Sequence, residues 1–596
     1  MVRSSSTTRS LVEVVRIIES VVNTPSYVVY GVTSGGLLLY GSTESSVFDL
    51  YVVNPSNGLR ATVAKGIHLY AKAHPESRYV VFTRDVSKGF ELCRVYAVNI
   101  RSGEFIDLMG SLPPQRVVGL AFNRELVAWS GASGEDAGIY VAKIGSEPEL
   151  LAKTKGREFV TDISDKYIVG YGYMRGDPFS TELFILDVSS RELRVYTPRE
   201  GSISENPKIN GSSVLFSSDY EDLDKQRLYV LDLSNGDLKP AVSEGSDLYD
   251  FDPVGFVDYG WTSERSIWAI AKKNGRSHLF VDNKLIGPGS GFVSSGIVHG
   301  DYAYIAHSSL RTPPRILALN LKTREVRVLA SDTLPGDVLQ RIGGVDFVEV
   351  KSKDGVVVPV YILESRVAEK PGPVVIYPHG GPWSEVADSW SPIITALSAL
   401  GYHVVAPNFR GSTGYGEKFR RMDIGDPGGM DMEDVVAAVK WAIDSELADS
   451  SRVAIVGYSY GGYTVLMQLT RKPDLWRCGV AGAPVTDWEE MYELADAYFK
   501  RFEEILFAGR RELFKERSPV NYVENIKAPL CIVQPQNDSR TPLRPVLKFT
   551  QKLLEHGKTF ELHVVPDIGH AISLDRRALA KFLLYTALFL DKYMKT

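Results

Sequence analysis

A strand-and-turn unit that returns about every 44 residues constrains this chain more than any other feature. It reads YVVNPSNG from Tyr51, YAVNIRSG from Tyr96, YVAKIGSE from Tyr140, FILDVSSR from Phe184 and YVLDLSNG from Tyr229, with starts 45, 44, 44 and 45 residues apart. Weaker copies follow at FVDNK from Phe280 and LALNLKTR from Leu317, after intervals of 51 and 37 residues. A unit of this length has room for four short strands, and it cannot bury both faces alone, so neighbours must stack. Seven units over residues 25–335 predict a seven-bladed β-propeller. A solenoid would carry apolar helical stripes within each repeat, and almost none is present.

The pattern changes near Gly343. VDFVEVKSKDGVVVPVYIL reads as a hairpin turning at Asp354-Gly355, and strands then alternate with helices, the pattern of an α/β sheet covered on both faces. A second domain over 336–596 is therefore expected, consistent with a 596-residue chain too long for one core. Ahead of the repeats, residues 1–24 read as a helix with Leu11, Val14, Val15, Ile18 and Val22 on one stripe and Ser10 or Thr8 as its cap. The repeat leaves this helix no place in the propeller, so it is expected to pack on the second domain. Glu13, Arg16 and Glu19 interrupt the apolar core that a signal peptide needs. The stretch from Phe582 to Leu590, bounded by Lys581, Asp591 and Lys592, is too short to cross a bilayer and reads as a buried final helix.

The strongest local signal is VAIVGYSYGGYTVLMQL. Val453 to Val456 form a buried-strand candidate, Gly457-Tyr458-Ser459-Tyr460-Gly461 is a G-x-S-x-G turn, and an apolar helix follows. A bare five-residue match arises by chance, but the strand and helix on either side give it the context of an α/β-hydrolase nucleophile elbow. The turn lifts the Ser459 hydroxyl clear of the sheet and sets it at a helix start, where free N–H groups favour developing negative charge. An acid and a histidine should follow in that order. APLCIVQPQNDSRTP supplies a strand and then Asp538, and FELHVVPDIGH supplies the last strand and then His570. Asp567 competes for the acid role, but it lies only three residues before His570, where it can instead shape the turn.

Two amide donors are needed for the oxyanion. Tyr460, immediately after the serine, offers one, and Gly381 in His379-Gly380-Gly381-Pro382 offers the other after the first long parallel strand. His379 is read as a brace for that loop. Arg410, Gly411, Gly414 and Gly416 in NFRGSTGYG look superficially like a phosphate cradle but lack the G-x-x-x-x-G-K-[ST] order, which leaves a scaffold loop as the better account. No cofactor is required, and no H-E-x-x-H zinc signature is present, so no metal is expected.

Charge narrows the partners. With 67 Lys and Arg against 73 Asp and Glu, the net charge of -6 gives no long-range pull on nucleic acid or an anionic membrane. Three widely spaced cysteines, Cys93, Cys478 and Cys531, argue against a disulfide framework or a cysteine zinc site and for a reducing, cytoplasmic setting.

HGGP at His379, NFRGSTGYG at Asn408, GDPGG at Gly425, GYSYGG at Gly457, DWEEMY at Asp487, PQNDSRTP at Pro535 and the GH pair ending at His570 together resemble the prolyl oligopeptidase family of serine peptidases, particularly its acylaminoacyl-peptidase branch. These pieces cover most of residues 370–572 in an order and spacing specific to that family. The resemblance implies a seven-bladed propeller capping the hydrolase domain, and release of an N-acylated amino acid from short blocked peptides, with esterase activity on small acyl esters. It also implies that Phe499 and Phe502 line the apolar pocket for the side chain before the scissile bond; taken alone, they are ordinary core residues three apart on a helix. Arg540 is a candidate for a substrate carbonyl or carboxylate, with a plain salt bridge as the alternative. Within the same class a prolyl oligopeptidase or a dipeptidyl peptidase stays open, as does a carboxylesterase, and a non-enzymatic propeller module is the remaining contrast. A homo-oligomer is compatible with everything in the sequence.

Overall fold

The computed structural model describes residues 10–262 and 266–594. Seven four-stranded antiparallel sheets, spanning 27–64, 71–107, 116–153, 158–196, 204–240, 255–287 and 292–331, form a closed ring. Every repeat copy falls on the third strand of its blade, from Tyr51 on Asp49–Val53 to Leu317 on Thr312–Asn320. The irregular intervals have local causes. A short helix, Asp247–Phe251, is inserted before the sixth blade, and the last two strands of that blade, Arg276–Val281 and Lys284–Gly287, are joined by only two residues where the other blades use five or six.

Alternation along each strand explains the ring. In the second blade Val80 and Phe82 pack toward the first blade, while Val81 packs toward the third. Each pair of neighbouring blades thereby shares its own apolar layer. The same packing closes the circle: Tyr27, Tyr40 and Tyr51 of the first blade meet Tyr304 and Ile316 of the seventh, and the Val29 N–H donates to Ser295 Oγ at 2.9 Å. Each blade is contiguous in sequence, so closure rests on side chains rather than on a shared strand.

The second domain is an eight-stranded sheet. Its strands are β1 (Ile342–Lys351), β2 (Val357–Ser365), β3 (Gly372–Ile376), β4 (His403–Pro407), β5 (Ala448–Tyr458), β6 (Cys478–Gly482), β7 (Leu530–Pro535) and β8 (Phe560–Val565). They lie in the order β1-β2-β4-β3-β5-β6-β7-β8, parallel from β4 onward. The helices that matter here are α1 (Leu11–Val22), α2 (Pro392–Ala399), α3 (Met430–Asp444), α4 (Tyr460–Arg471), α5 (Ala497–Leu506), α6 (Leu543–Glu555) and α7 (Arg576–Met594). Along β5, Val453 and Ile455 face α3, α4 and α6, whereas Ala454 and Val456 face α1, α2 and α7. With both faces covered, the central strands read as unbroken apolar runs.

The N-terminal helix packs against α2 and α7, and Ser10 caps it by accepting from the Glu13 N–H at 3.1 Å. Thr8, the other expected cap, lies outside the described residues. The buried stripe differs from the expected one: Val14, Ile17, Ile18, Val21 and Val22 are buried, while Leu11 is 57% exposed and Val15 only half-buried. The i, i+3, i+4 spacing runs equally well through Val14, Ile17 and Ile18, and two flanking ion pairs, Arg341–Glu13 at 3.1 Å and Arg16–Asp337 at 2.5 Å, go with that rotation. Among the described residues no helix is long and apolar enough to cross a membrane.

Ile17→Ala should therefore cost about 2–5 kcal/mol in urea unfolding monitored at the second domain. Leu11→Ala, made on the exposed side, should stay within about 0.5 kcal/mol.

Candidate active site

β5 ends at Tyr458, and Ser459 takes φ 60° and ψ −124°, a conformation rare for a residue with a side chain. The glycines permit it. A Cβ on Gly457 would collide with the Gly461 carbonyl, and one on Gly461 with the Pro378 carbonyl. The Ser459 N–H is held by the Gly482 carbonyl at 2.9 Å, which pins the elbow to β6.

Three loops converge on this hydroxyl. His570 Nε2 lies 2.9 Å from Ser459 Oγ, and His570 Nδ1 lies 2.7 Å from Asp538 Oδ2. Asp538 Oδ1 accepts the N–H groups of Arg540 and Thr541, each at 2.9 Å, and the Thr541 hydroxyl donates to Oδ2 at 3.0 Å. The carboxylate is thus fixed before the imidazole meets it. The Tyr458 hydroxyl donates to the His570 carbonyl at 2.9 Å and steadies that loop. Asp567 is held elsewhere, its N–H donating to Gln536 Oε1 at 3.2 Å in a left-handed turn. The backbones of Gly569 and Gly89 meet so closely that neither position has room for a Cβ, and Asn537 Nδ2 donates to the Lys88 carbonyl at 2.8 Å. A propeller loop therefore supports both the acid loop and the histidine loop.

The N–H groups of Tyr460 and Gly381 donate to no group among the described residues, and both residues line the cavity beside Ser459. His379 braces the glycine loop: Nε2 is 2.8 Å from Ser412 Oγ, Nδ1 is 2.7 Å from the Gly380 carbonyl, and the ring stacks on Phe409 at 4.5 Å. Burial lowers its pKa to about 4, which keeps it neutral. Arg410 forks onto Asp354 and Asp434 at 2.8–3.0 Å and serves as scaffold.

The cavity holds about 370 Å³. Phe499 and Phe502 on α5 form one wall with Trp383, whose indole stands edge-on to Phe502 at 5.5 Å. The propeller closes the other side with Glu91, Arg116 and Arg157. Arg540 donates to both oxygens of Glu91, at 2.6–3.1 Å, and Arg116 pairs with Glu91 as well. Burial works to raise the Glu91 pKa, but Arg540, His68 and Arg116 outweigh it and hold the carboxyl well below the usual range.

Residues 389–596 match the prolyl oligopeptidase family, and residues 38–317 match the acylamino-acid-releasing enzyme-like N-terminal domain. The chain belongs to the prolyl oligopeptidase family. It is a serine hydrolase of this family. Over 581 residues, 90% of this chain and 83% of the relative, it is 26% identical to dipeptidyl aminopeptidase BIII of Pseudoxanthomonas mexicana. The acylamino-acid-releasing enzyme of Arabidopsis thaliana is 28% identical over 248 residues, 40% of this chain and 32% of that protein. A puromycin-hydrolyzing peptidase of Mycobacterium tuberculosis superposes with a TM-score of 0.82 at 16% identity, covering 97% of this chain and 96% of that one, which speaks for a shared fold.

Sequence reasoning had no hold on the propeller's share of this prolyl oligopeptidase-family site. Glu91 sits in a loop of the second blade and Arg116 opens the first strand of the third, Arg116–Asn123, and their partners in the hydrolase domain are hundreds of residues away. Trp383 was accessible, since it directly follows the HGGP loop.

One further pair lies behind the oxyanion amides. The Tyr460 phenol donates to Asp431 Oδ2 at 2.7 Å, and the Gly428 N–H donates to the same oxygen at 3.2 Å. Burial raises the Asp431 carboxyl to about 7 despite these bonds. Asp423, which accepts from Trp383 Nε1 at 3.3 Å, is also pushed up, by burial and then by Asp431. For an acid whose folded pKa is raised, stability is fully present below the unfolded value of 3.8 and is lost as pH climbs toward about 7. Asp431→Asn stays neutral throughout. Its melting temperature relative to the parent should rise by about 2 °C or more between pH 4 and pH 7.5 in scanning fluorimetry.

Proposed function

We propose that this chain is a serine peptidase that releases N-acylated amino acids from short, N-terminally blocked peptides through an acyl-enzyme, with esterase activity alongside. Ser459 Oγ attacks the scissile carbonyl while His570 Nε2 takes its proton, and Asp538 holds Nδ1–H and stabilises the imidazolium. The Tyr460 and Gly381 amides receive the oxyanion. His570 then gives the proton to the leaving amine and activates the water that clears the acyl-enzyme. Phe499 and Phe502 take the apolar side chain of the released residue.

The observation that carries the blocked-substrate reading is the state of Glu91. Among the described residues it is the one carboxylate lining the cavity, and two arginines already engage it. A free α-amine would meet Arg116, Arg157 and Arg540 with no spare acid to hold it, whereas a neutral acyl amide offers a carbonyl to a guanidinium N–H. A dipeptidyl peptidase remains the second reading because the relative that aligns over 90% of this chain carries that name. The three cysteines are free and buried, which supports a reducing, cytoplasmic setting.

Initial rates on acetyl-leucyl, glycyl-prolyl and benzyloxycarbonyl-glycyl-prolyl p-nitroanilides separate the readings. The first should be cleaved at least about tenfold faster than either proline substrate; vigorous turnover of a proline substrate with none of the first would reject the acylaminoacyl assignment. A fluorophosphonate probe should label the parent, and labelling should vanish in Ser459→Ala.

A further inference from the structure

Ser459 and His570 also line a second cavity of about 540 Å³, and neither Tyr460 nor Gly381 reaches it. Its walls come from Tyr377, Trp390, Ile393, Ile572, Leu579 and Arg576. The nucleophile therefore stands between two chambers, one holding the oxyanion amides and the Phe499–Phe502 wall, the other on the imidazole side. In acyl transfer the leaving amine takes its proton from the imidazole, so it must depart on that side.

Arg576 is the unusual member of this chamber. Its Nε and Nη2 are shut off from water and have no hydrogen-bond partner among the described residues. The indole Nε1 of Trp390, on the same cavity wall, is also buried and unpartnered. The acids nearest in effect to Arg576 are Asp332, which is exposed, and Glu44, whose two oxygens are taken by Arg60 at 3.1 and 3.2 Å. Burial lowers the pKa of Arg576, with Asp332 and Glu44 opposing at longer range. A half-buried guanidinium whose Nε and Nη2 have no acceptor among the described residues, on a wall shared with apolar side chains, Thr43, Ser391 and Arg540, matches an anionic group at the end of an apolar segment.

We propose that this chamber is the leaving-group subsite and that Arg576 receives the free C-terminal carboxylate of the released peptide. The proposal rests on the peptidase reading above and sharpens it: short substrates with an unmodified C-terminus are preferred because the charge anchors the departing segment.

The test compares acetyl-Leu-Ala, acetyl-Leu-Ala-Ala and acetyl-Leu-Ala-Ala-Ala, each as free acid and as amide, in the parent, Arg576→Ala and Arg576→Lys. At one or more lengths the parent should favour the acid by about tenfold to a hundredfold in kcat/KM, the size of a hydrogen bond to a charged group. Arg576→Ala should abolish that preference, chiefly through KM, and Arg576→Lys should keep part of it. Acetyl-leucine p-nitroanilide, which has no carboxylate, should change by no more than about twofold, and this also shows that the variants are folded. Equal rates on acid and amide at every length, or a preference that survives in Arg576→Ala, would overturn the assignment. If the parent cleaves no acyl peptide, the peptidase reading itself fails. The subsite is then decided by competition, with Ala-Ala expected to inhibit p-nitrophenyl butyrate hydrolysis at least about tenfold more tightly than Ala-Ala amide in the parent, and equally in Arg576→Ala. Equal inhibition in the parent would sink the proposal there too.

Discussion

Four charges meet where the two domains face each other. Arg116 and Glu91 come from the propeller, Asp496 and Arg540 from the hydrolase domain; Arg116 donates to Asp496 at 2.6 Å and Arg540 to Glu91 at 2.6 Å. The side chains of Arg116 and Glu91 are only 6% and 3% exposed. Charges so placed are tolerated only when paired, and removing one partner leaves the other uncompensated in a poorly solvated site. The pairing therefore selects one way of seating the ring on the sheet. It also uses up the acidity of the cavity. Arg116 Nη2 further reaches Ser539 Oγ at 2.8 Å, one residue from Asp538, so the domain junction and the hydrogen-bonded relay share a wall.

The elbow supplies the second constraint. Ser459 holds its left-handed conformation because β5, β6 and α4 over-determine it, and because Gly457 and Gly461 leave space for two carbonyls. Above it Tyr460 and Gly381 line a cavity walled by Phe499 and Phe502 on one side and by Glu91, Arg116 and Arg157 on the other. Beneath it, Tyr458 packs between His570 and Phe582 with ring centroids 5.5 Å from each, which ties the elbow to the histidine loop and to α7. The packing of α1 against α2 and α7 completes the layer under that helix.

Local grammar made much of this legible. The third strand of each blade repeats because its aromatic or aliphatic start must fill the same inter-blade layer, so Tyr51, Tyr96, Tyr140, Phe184 and Tyr229 kept time even where sequence detail drifted. The elbow, Asp538 and His570 could be read because each follows a recognisable strand. The face of α1 was harder, since Leu11 and Val15 fit a helical stripe as well as Ile17 and Val21 do, and only the partner helices choose between them. Glu91 and Arg116 were beyond reach. Their meaning comes from Arg540 and Asp496, which lie 449 and 380 residues along the chain from them, and no periodicity links such positions. Arg576 was hidden in the same way, because an unpartnered guanidinium is a property of surroundings and not of spacing.

The contact between Gly89 and Gly569 carries a consequence for how the enzyme guards itself. Bare backbone from a blade loop is the floor on which the imidazole's loop rests, with no side chain interposed as a cushion. Lifting the ring far enough to admit a folded protein would withdraw that floor, leaving the imidazole poorly aimed at the moment the gate stood open. The contact that seats the ring over the sheet is thus also the one that seats the histidine loop.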